Sequence, residues 1–177
     1  TLGILAQIHM RGGDYPAAHA AADRSLGLFR KHGHKPGASS AMMISAAILR
    51  REGRLAEAEK LLVATRDEKH AMHDVSGEAG VLNTLGIAVM ESPGDRLQEA
   101  ERHFLRAIEL FSSLNDGQTA ALSQTNLAQV YEKQGRGKDA EVVLMGVIRL
   151  HRRLGARESE MRAVRGLGGA LVSQGKL

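Results

Sequence analysis

Eight histidines in 177 residues are the first groups whose chemistry needs a reading, and two pairs have suggestive spacing. His70 and His73 stand three apart, which puts two imidazoles on one face of a helix, and His32 and His34 flank Gly33. A zinc site takes three or four ligands with oriented partners behind them, yet the chain has no cysteine and no acidic cluster joins either pair. Solvated histidines at helix ends, facing the negative pole of the helix dipole, are the reading these positions support. No metal and no other cofactor is expected.

Gly166-Leu167-Gly168-Gly169 has the glycine density of a dinucleotide-binding turn, but such a turn follows a strand, and none is predicted there. Close helix packing accounts for it better. Ser39-Ser40, Ser112-Ser113 and the scattered aspartates lack an assigned base or orienting partner, so nucleophilic catalysis has no assembled constellation. The chain is read as a non-enzyme without catalytic residues.

Lys and Arg total 24 against 20 Asp and Glu, a net charge of +4 with a pI near 9.7. The excess is mild, and Phe29, Phe104, Phe111, Tyr15 and Tyr131 are too few aromatics for a base-stacking surface. Nucleic acid is therefore not the expected partner, whereas an acidic protein or peptide is compatible. Arg149, Arg152, Arg153, Arg157, Arg162 and Arg165 form a basic cluster, tempered by Glu141, Glu158 and Glu160 and read as solvated surface rather than a phosphate-binding face. No apolar run approaches the roughly 18 residues of a membrane span and no leader opens the sequence, so no membrane partner is expected and the expected location is cytoplasmic. The sequence opens on Thr1 and ends at Leu177 inside a repeat pattern, as a piece of a longer protein would.

The elements that must position any site are set by an internal period. Glycine-containing segments recur at Gly13-Asp14-Tyr15-Pro16, Gly53-Arg54-Leu55, Gly94-Asp95-Arg96-Leu97, Gly135-Arg136-Gly137 and Gly175-Lys176-Leu177. The alanines that follow, Ala18, Ala58, Ala100 and Ala140, are 40, 42 and 40 residues apart, the two extra residues falling in the loop Glu91-Ser92-Pro93-Gly94-Asp95. After each alanine, apolar residues keep the offsets of an amphipathic helix: Phe104, Ala107, Ile108 and Phe111 after Ala100, for instance, and Val143, Leu144, Val147 and Ile148 after Ala140. After Ala58 the run is Leu61 and Leu62, then Arg66 and Lys69, so that helix is expected to pack least well. Before each glycine an apolar or small residue precedes a small one: Leu5-Ala6, Ser45-Ala46, Leu85-Gly86, Leu127-Ala128 and Leu167-Gly168. A small side chain there lets two helix axes approach. The unit is helix, glycine turn, helix, and Asp14 before Tyr15-Pro16 reads as a helix start.

These features together resemble the tetratricopeptide repeat, over nearly the whole chain. Asn126-Leu127-Ala128 through Tyr131, Gly135 and Ala140, and Thr84-Leu85-Gly86 through Ala100, Phe104 and Ala107, carry the resemblance best. Departures are the lack of tryptophan, His9 and Leu49 where an aromatic is usual, and the missing closing proline. The period exceeds the family's roughly 34 residues by about six, which lengthens the helices and resembles repeats of bacterial multidomain regulators, of signalling NTPases and of peptide-binding adaptors. The implied fold is all-α: a right-handed superhelix, or α-solenoid, of antiparallel helix pairs with about nine helices. It forms one domain over 1–177, with repeats near 1–35, 36–75, 76–115 and 116–156 and a partial one over 157–177. Helices are expected at about 2–11, 15–33, 38–52, 55–73, 77–91, 96–114, 117–134, 137–155 and 158–174.

The resemblance also implies that the first helix of each repeat lines an inward-curving groove that receives a peptide or a helix. By register its candidates are Gln7, Arg11, Arg51, Asn83, Asn126, Gln129, Lys133, Arg162 and Arg165. The amides would hold the backbone of a bound chain, and Arg11, Arg51 and Lys133 would meet its carboxylates. The clamp set of chaperone-binding members does not line up, so docking of chaperone tails is not expected. The function expected is a protein or peptide interaction module, within a transcriptional or signalling regulator. The alternative is a sensor domain that binds a small effector or nucleic acid through a basic groove. Met161, Val164, Leu167 and Leu171 form an apolar stripe on the last helix, through which self-association is expected.

Overall fold

The structure is a computed structural model describing residues 1–176, and among them every regular element is an α-helix. Leu177, which closes the last glycine-containing segment, lies outside the described residues. The helices are α1 (Leu2–Arg11), α2 (Tyr15–Lys31), α3 (Lys35–Arg51), α4 (Leu55–Ala71), α5 (Val75–Glu91), α6 (Leu97–Ser113), α7 (Gly117–Lys133), α8 (Gly137–Arg153) and α9 (Arg157–Ser173). Helices of 17 residues such as α3 and α4, joined by three-residue connections such as 32–34 and 52–54, produce the 40-residue period. The longer connection, residues 92–96, accounts for the 42-residue spacing.

Each three-residue connection stops one helix and starts the next. Its middle residue adopts left-handed backbone, which glycine takes without penalty: Gly13 has φ 79° and Gly135 φ 74°. His73 at φ 53° and Asn115 at φ 57° hold the same place with residue types that tolerate it. The third residue then donates its N–H five residues back, as from Asp74 to the Lys69 carbonyl at 3.0 Å, and serves as the cap of the next helix. The Asp14, Asp74 and Asp116 carboxylates accept from the N–H three residues on, at 3.1, 2.8 and 3.0 Å. His34 does the same through Nδ1, at 3.0 Å from Gly37 N. Arg54 and Arg136 instead pair forward with Glu57 and Asp139, each at 2.7 Å, acids placed where the helix N-terminus favours negative charge. Helix α3 starts at Lys35 rather than near 38, because Pro36 fits a first helical turn, whose amides need no partner; α5 likewise starts at Val75, just after its Asp74 cap.

Ala18, Ala58, Ala100 and Ala140 are all fully buried, so the alanine register marks where helices touch. Phe104, Leu62 and Leu144 fill the space beside them. Lys69 does not interrupt the stripe of α4 as expected. It is buried itself, its stem lying close to Gly77 while Nζ reaches Asp74 Oδ2 at 2.6 Å.

The chain divides into two compact units, Thr1–Ser92 and Pro93–Leu177, at the loop that the spacing marks as an insertion. In the first, α1 to α5 pack in succession and α1 also meets α3; in the second, α6 to α9 do so and α7 also meets α9. Polar links recur at the joints: Gln134 Nε2 donates to Glu101 at 2.9 Å, and forty residues on Gln174 Nε2 donates to Glu141 at 3.2 Å. On α9, Met161 and Val164 are exposed as the stripe predicts, with Val172 beside them, while Leu167 and Leu171 are half-buried. No helix among the described residues is long and apolar enough to cross a membrane.

Candidate functional site

Within Pro93–Leu177, α7 and α9 are the first helices of successive repeats, and a cleft of about 510 Å³ opens between them. Gln129, Glu132 and Lys133 project into it from α7, at offsets that share one helix face, and Arg162 and Arg165 from α9. Leu144 of α8 forms an apolar part of its wall. Two glycines of α9 border the cleft. A Cβ on Gly166 would lie 3.4 Å from Leu144 Cδ2, and one on Gly169 would lie 3.7 Å from the Glu132 carboxylate.

The electrostatics are lopsided. Glu132 Oε1 is shut off from water and has no hydrogen-bond partner. Burial pushes the Glu132 carboxyl above the usual glutamate range, and no neighbouring cation offsets it. Asp74 shows the opposite case: the Lys69 ammonium first, and the Gly77 amide next, hold its carboxyl below the usual aspartate range. Lys133, Arg162 and Arg165 are exposed, and among the described residues none of them forms an ion pair. Arg152, by contrast, is held by Glu160 at 2.8 Å.

Four of the nine groove candidates, Gln129, Lys133, Arg162 and Arg165, thus meet in one cleft. Asn126 is half-buried on α7, does not line it and has a partner within the fold, as does half-buried Asn83 on α5. Gln7, Arg11 and Arg51 are exposed on α1 and α3 of the first unit. The arginine cluster does not form one surface: Arg149, Arg152 and Arg153 surround a separate hollow on α8 at Gly146, while Arg162 and Arg165 belong to the cleft. Of the two histidine pairs, His32 and His34 cap the ends of α2 and α3 and His73 supplies left-handed backbone, while His70 Nδ1 lies 3.0 Å from Glu78 Oε2.

Glu132 is not among the groove candidates, all of which are cations or amides, and its only signal in the sequence is positional. It lies four residues after Ala128, as Arg50 lies four after Ala46, and Arg50 grips Glu91 with Nη1 at 2.7 and 2.9 Å. Glu91 occupies the place of Ser173 in the last repeat, where the hydroxyl donates to its own helix, to the Ala170 carbonyl at 2.8 Å.

Tetratricopeptide repeat models match residues 5–69 and 120–154, together more than half of the chain. The chain belongs to the tetratricopeptide repeat family. Its coarse function follows from that membership: it is a protein–protein interaction module. Solved structures agree on the fold. The chain is similar to BtubC from P. vanneervenii, with a TM-score of 0.85 and 18% identity over 99% of this chain and 72% of that one. A putative kinesin light chain with nearly identical TPR-like repeats from Podosopora anserina aligns at TM-score 0.80 and 17% identity, over 99% and 85%. A signal transduction ATPase with numerous domains from Pyrococcus horikoshii, carrying a tetratricopeptide repeat sensor, aligns at 0.81 and 12%, over 97% of this chain and 26% of that one. None of the curated proteins compared with the chain matches it.

Proposed function

We propose that this tetratricopeptide module recognises an acidic segment of a partner protein, with the α7–α9 cleft as its main contact. The observation that carries the reading is the convergence of Lys133, Arg162 and Arg165 on one cleft, where none of them forms an ion pair among the described residues. A cation left unpaired by the fold is available to a ligand carboxylate, and arginine offers it a two-pronged donor. Gln129 adds an amide that can bond a bound backbone through both donor and acceptor. Gln7, Arg11, Arg51 and Asn83 hold the corresponding first-helix positions in Thr1–Ser92, where they serve as secondary contacts. A place within a larger signalling regulator is consistent with the sensor role that the Pyrococcus horikoshii protein's description gives to its repeats.

The test is binding by short peptides selected from a random library on the wild-type chain. Arg162→Glu with Arg165→Glu is expected to lower their affinity at least about tenfold while leaving the melting temperature nearly unchanged, since both side chains are exposed. Unaltered binding would contradict the reading. The alternative, a basic groove for nucleic acid, predicts instead that a single-stranded oligonucleotide binds with an affinity that collapses between low and moderate salt.

A further inference from the structure

We infer that the α7–α9 cleft reads two charges at once: Glu132 on its wall takes a lysine or arginine side chain of the partner segment, while Arg162 and Arg165 hold a neighbouring acidic residue. This rests on the cleft being the recognition site, and names the chemistry that it selects.

Three observations converge on a cationic group. First, Glu132 Oε1 is buried without a partner in a cleft that is also lined by three cations, none of which pairs with it. A buried acceptor left unmade is costly, and a donor that reaches it recovers that cost on binding. Second, Gly169 keeps α9 without a side chain where one would lie against the carboxylate, so the approach to Glu132 is left to something from outside the chain. Third, the same pair of positions is closed internally in Thr1–Ser92. There, the residue four after Ala46 is Arg50, and it meets Glu91, whose counterpart by register in the last repeat is Ser173. At Ser173 the hydroxyl is turned to the Ala170 carbonyl and supplies nothing to Glu132.

A purely acidic ligand fits this cleft poorly. Its carboxylates would be drawn by Arg162 and Arg165 into the vicinity of Glu132, deepening the burial of a carboxylate that already lacks a partner. A segment with adjacent basic and acidic residues satisfies both ends. The raised pKa of Glu132 accords with a site that becomes fully favourable only when a cation arrives.

The experiment selects short random peptides on the wild-type chain, on Glu132→Gln and on Arg162→Ala with Arg165→Ala. The glutamine variant keeps shape and removes charge; its circular dichroism and melting curve verify the fold. Wild-type peptides are expected to carry Lys or Arg close to Asp or Glu. Replacing the basic residue of such a peptide with norleucine should weaken binding to wild type about tenfold and to Glu132→Gln hardly at all. Replacing its acidic residue should weaken binding to both alike. Ser173→Arg, which offers Glu132 an internal cation, should likewise abolish dependence on the peptide's basic residue. Acid-only peptides that bind wild type and Glu132→Gln equally would overturn the two-charge inference while leaving the acidic-segment reading intact. Peptides indifferent to Arg162 and Arg165 would overturn both.

Discussion

Arg50 and Glu132 occupy the same place in two repeats, four residues after the small residue that marks a first helix, and they meet opposite fates. In Thr1–Ser92 Arg50 is bound to Glu91 by two hydrogen bonds; in Pro93–Leu177 the residue matching Glu91 by register is Ser173, and Glu132 keeps an oxygen without a partner. The second helices repeat the contrast. Eleven residues after Ala58, Lys69 is buried and paired with Asp74; eleven after Ala140, His151 is buried with Nδ1 unpartnered, because Ala156 stands where the first unit has Asp74. One backbone scheme therefore carries two polar outcomes at matched positions, paired at Arg50 and Lys69 and unpaired at Glu132 Oε1 and His151 Nδ1. A repeat needs the apolar register to fold, whereas the polar positions are free to be closed for stability or left open for a ligand.

The comparison can be attacked first through the shared core. Leu62 and Leu144 both lie four residues after the buried alanine, and each is almost wholly inaccessible. Leu62→Ala and Leu144→Ala are each expected to cost about 2–5 kcal/mol in denaturant unfolding. A loss confined to one would show that the units differ in their apolar packing and not only in polar closure.

Next come the polar hubs. Lys69→Ala should cost about 1–3 kcal/mol, from the lost stem packing and the stranded Asp74. Because the folded Asp74 carboxyl lies below its unfolded value, its contribution is present above about pH 3.8 and lost as pH falls through that value toward the folded one. The variant should lose part of that acid sensitivity in pH-dependent melting. Conversely, Ala156→Asp should stabilise by about 1 kcal/mol, capping α9 and placing an acceptor within reach of His151. A neutral or destabilising outcome would argue that the fold has no vacancy there.

The smallest effect belongs to Ser173→Arg. It copies the closed pair of the first unit in reversed order, and its ion pair should add on the order of 0.5 kcal/mol, read as a small rise in melting temperature that high salt removes. No salt-sensitive gain would mean that Glu132 is not short of a partner.

Much of this architecture is written locally. The alanine register, the glycine turns and the 40-residue spacing state helix length and contact face, and Asp14 or Asp116 announces a helix start through a bond only three residues long. His73 and Asn115 are less legible, since left-handed backbone at a non-glycine residue becomes visible only when the neighbouring turns are superposed. Lys69 reads as a flaw in a stripe until its amine is seen to reach Asp74. The cleft is legible in part. The periodic register picks out Gln129, Lys133, Arg162 and Arg165, but the state of Glu132 depends on what α9 brings opposite it about forty residues later, and an absent partner leaves no local trace.

The most direct test maps a selected peptide onto the isotopically labelled chain by NMR. The account predicts that backbone and side-chain shifts at Gln129, Glu132, Lys133, Arg162 and Arg165 move first and saturate together. Shifts confined to Gln7, Arg11, Arg51 and Asn83, with the α7–α9 cleft silent, would contradict it.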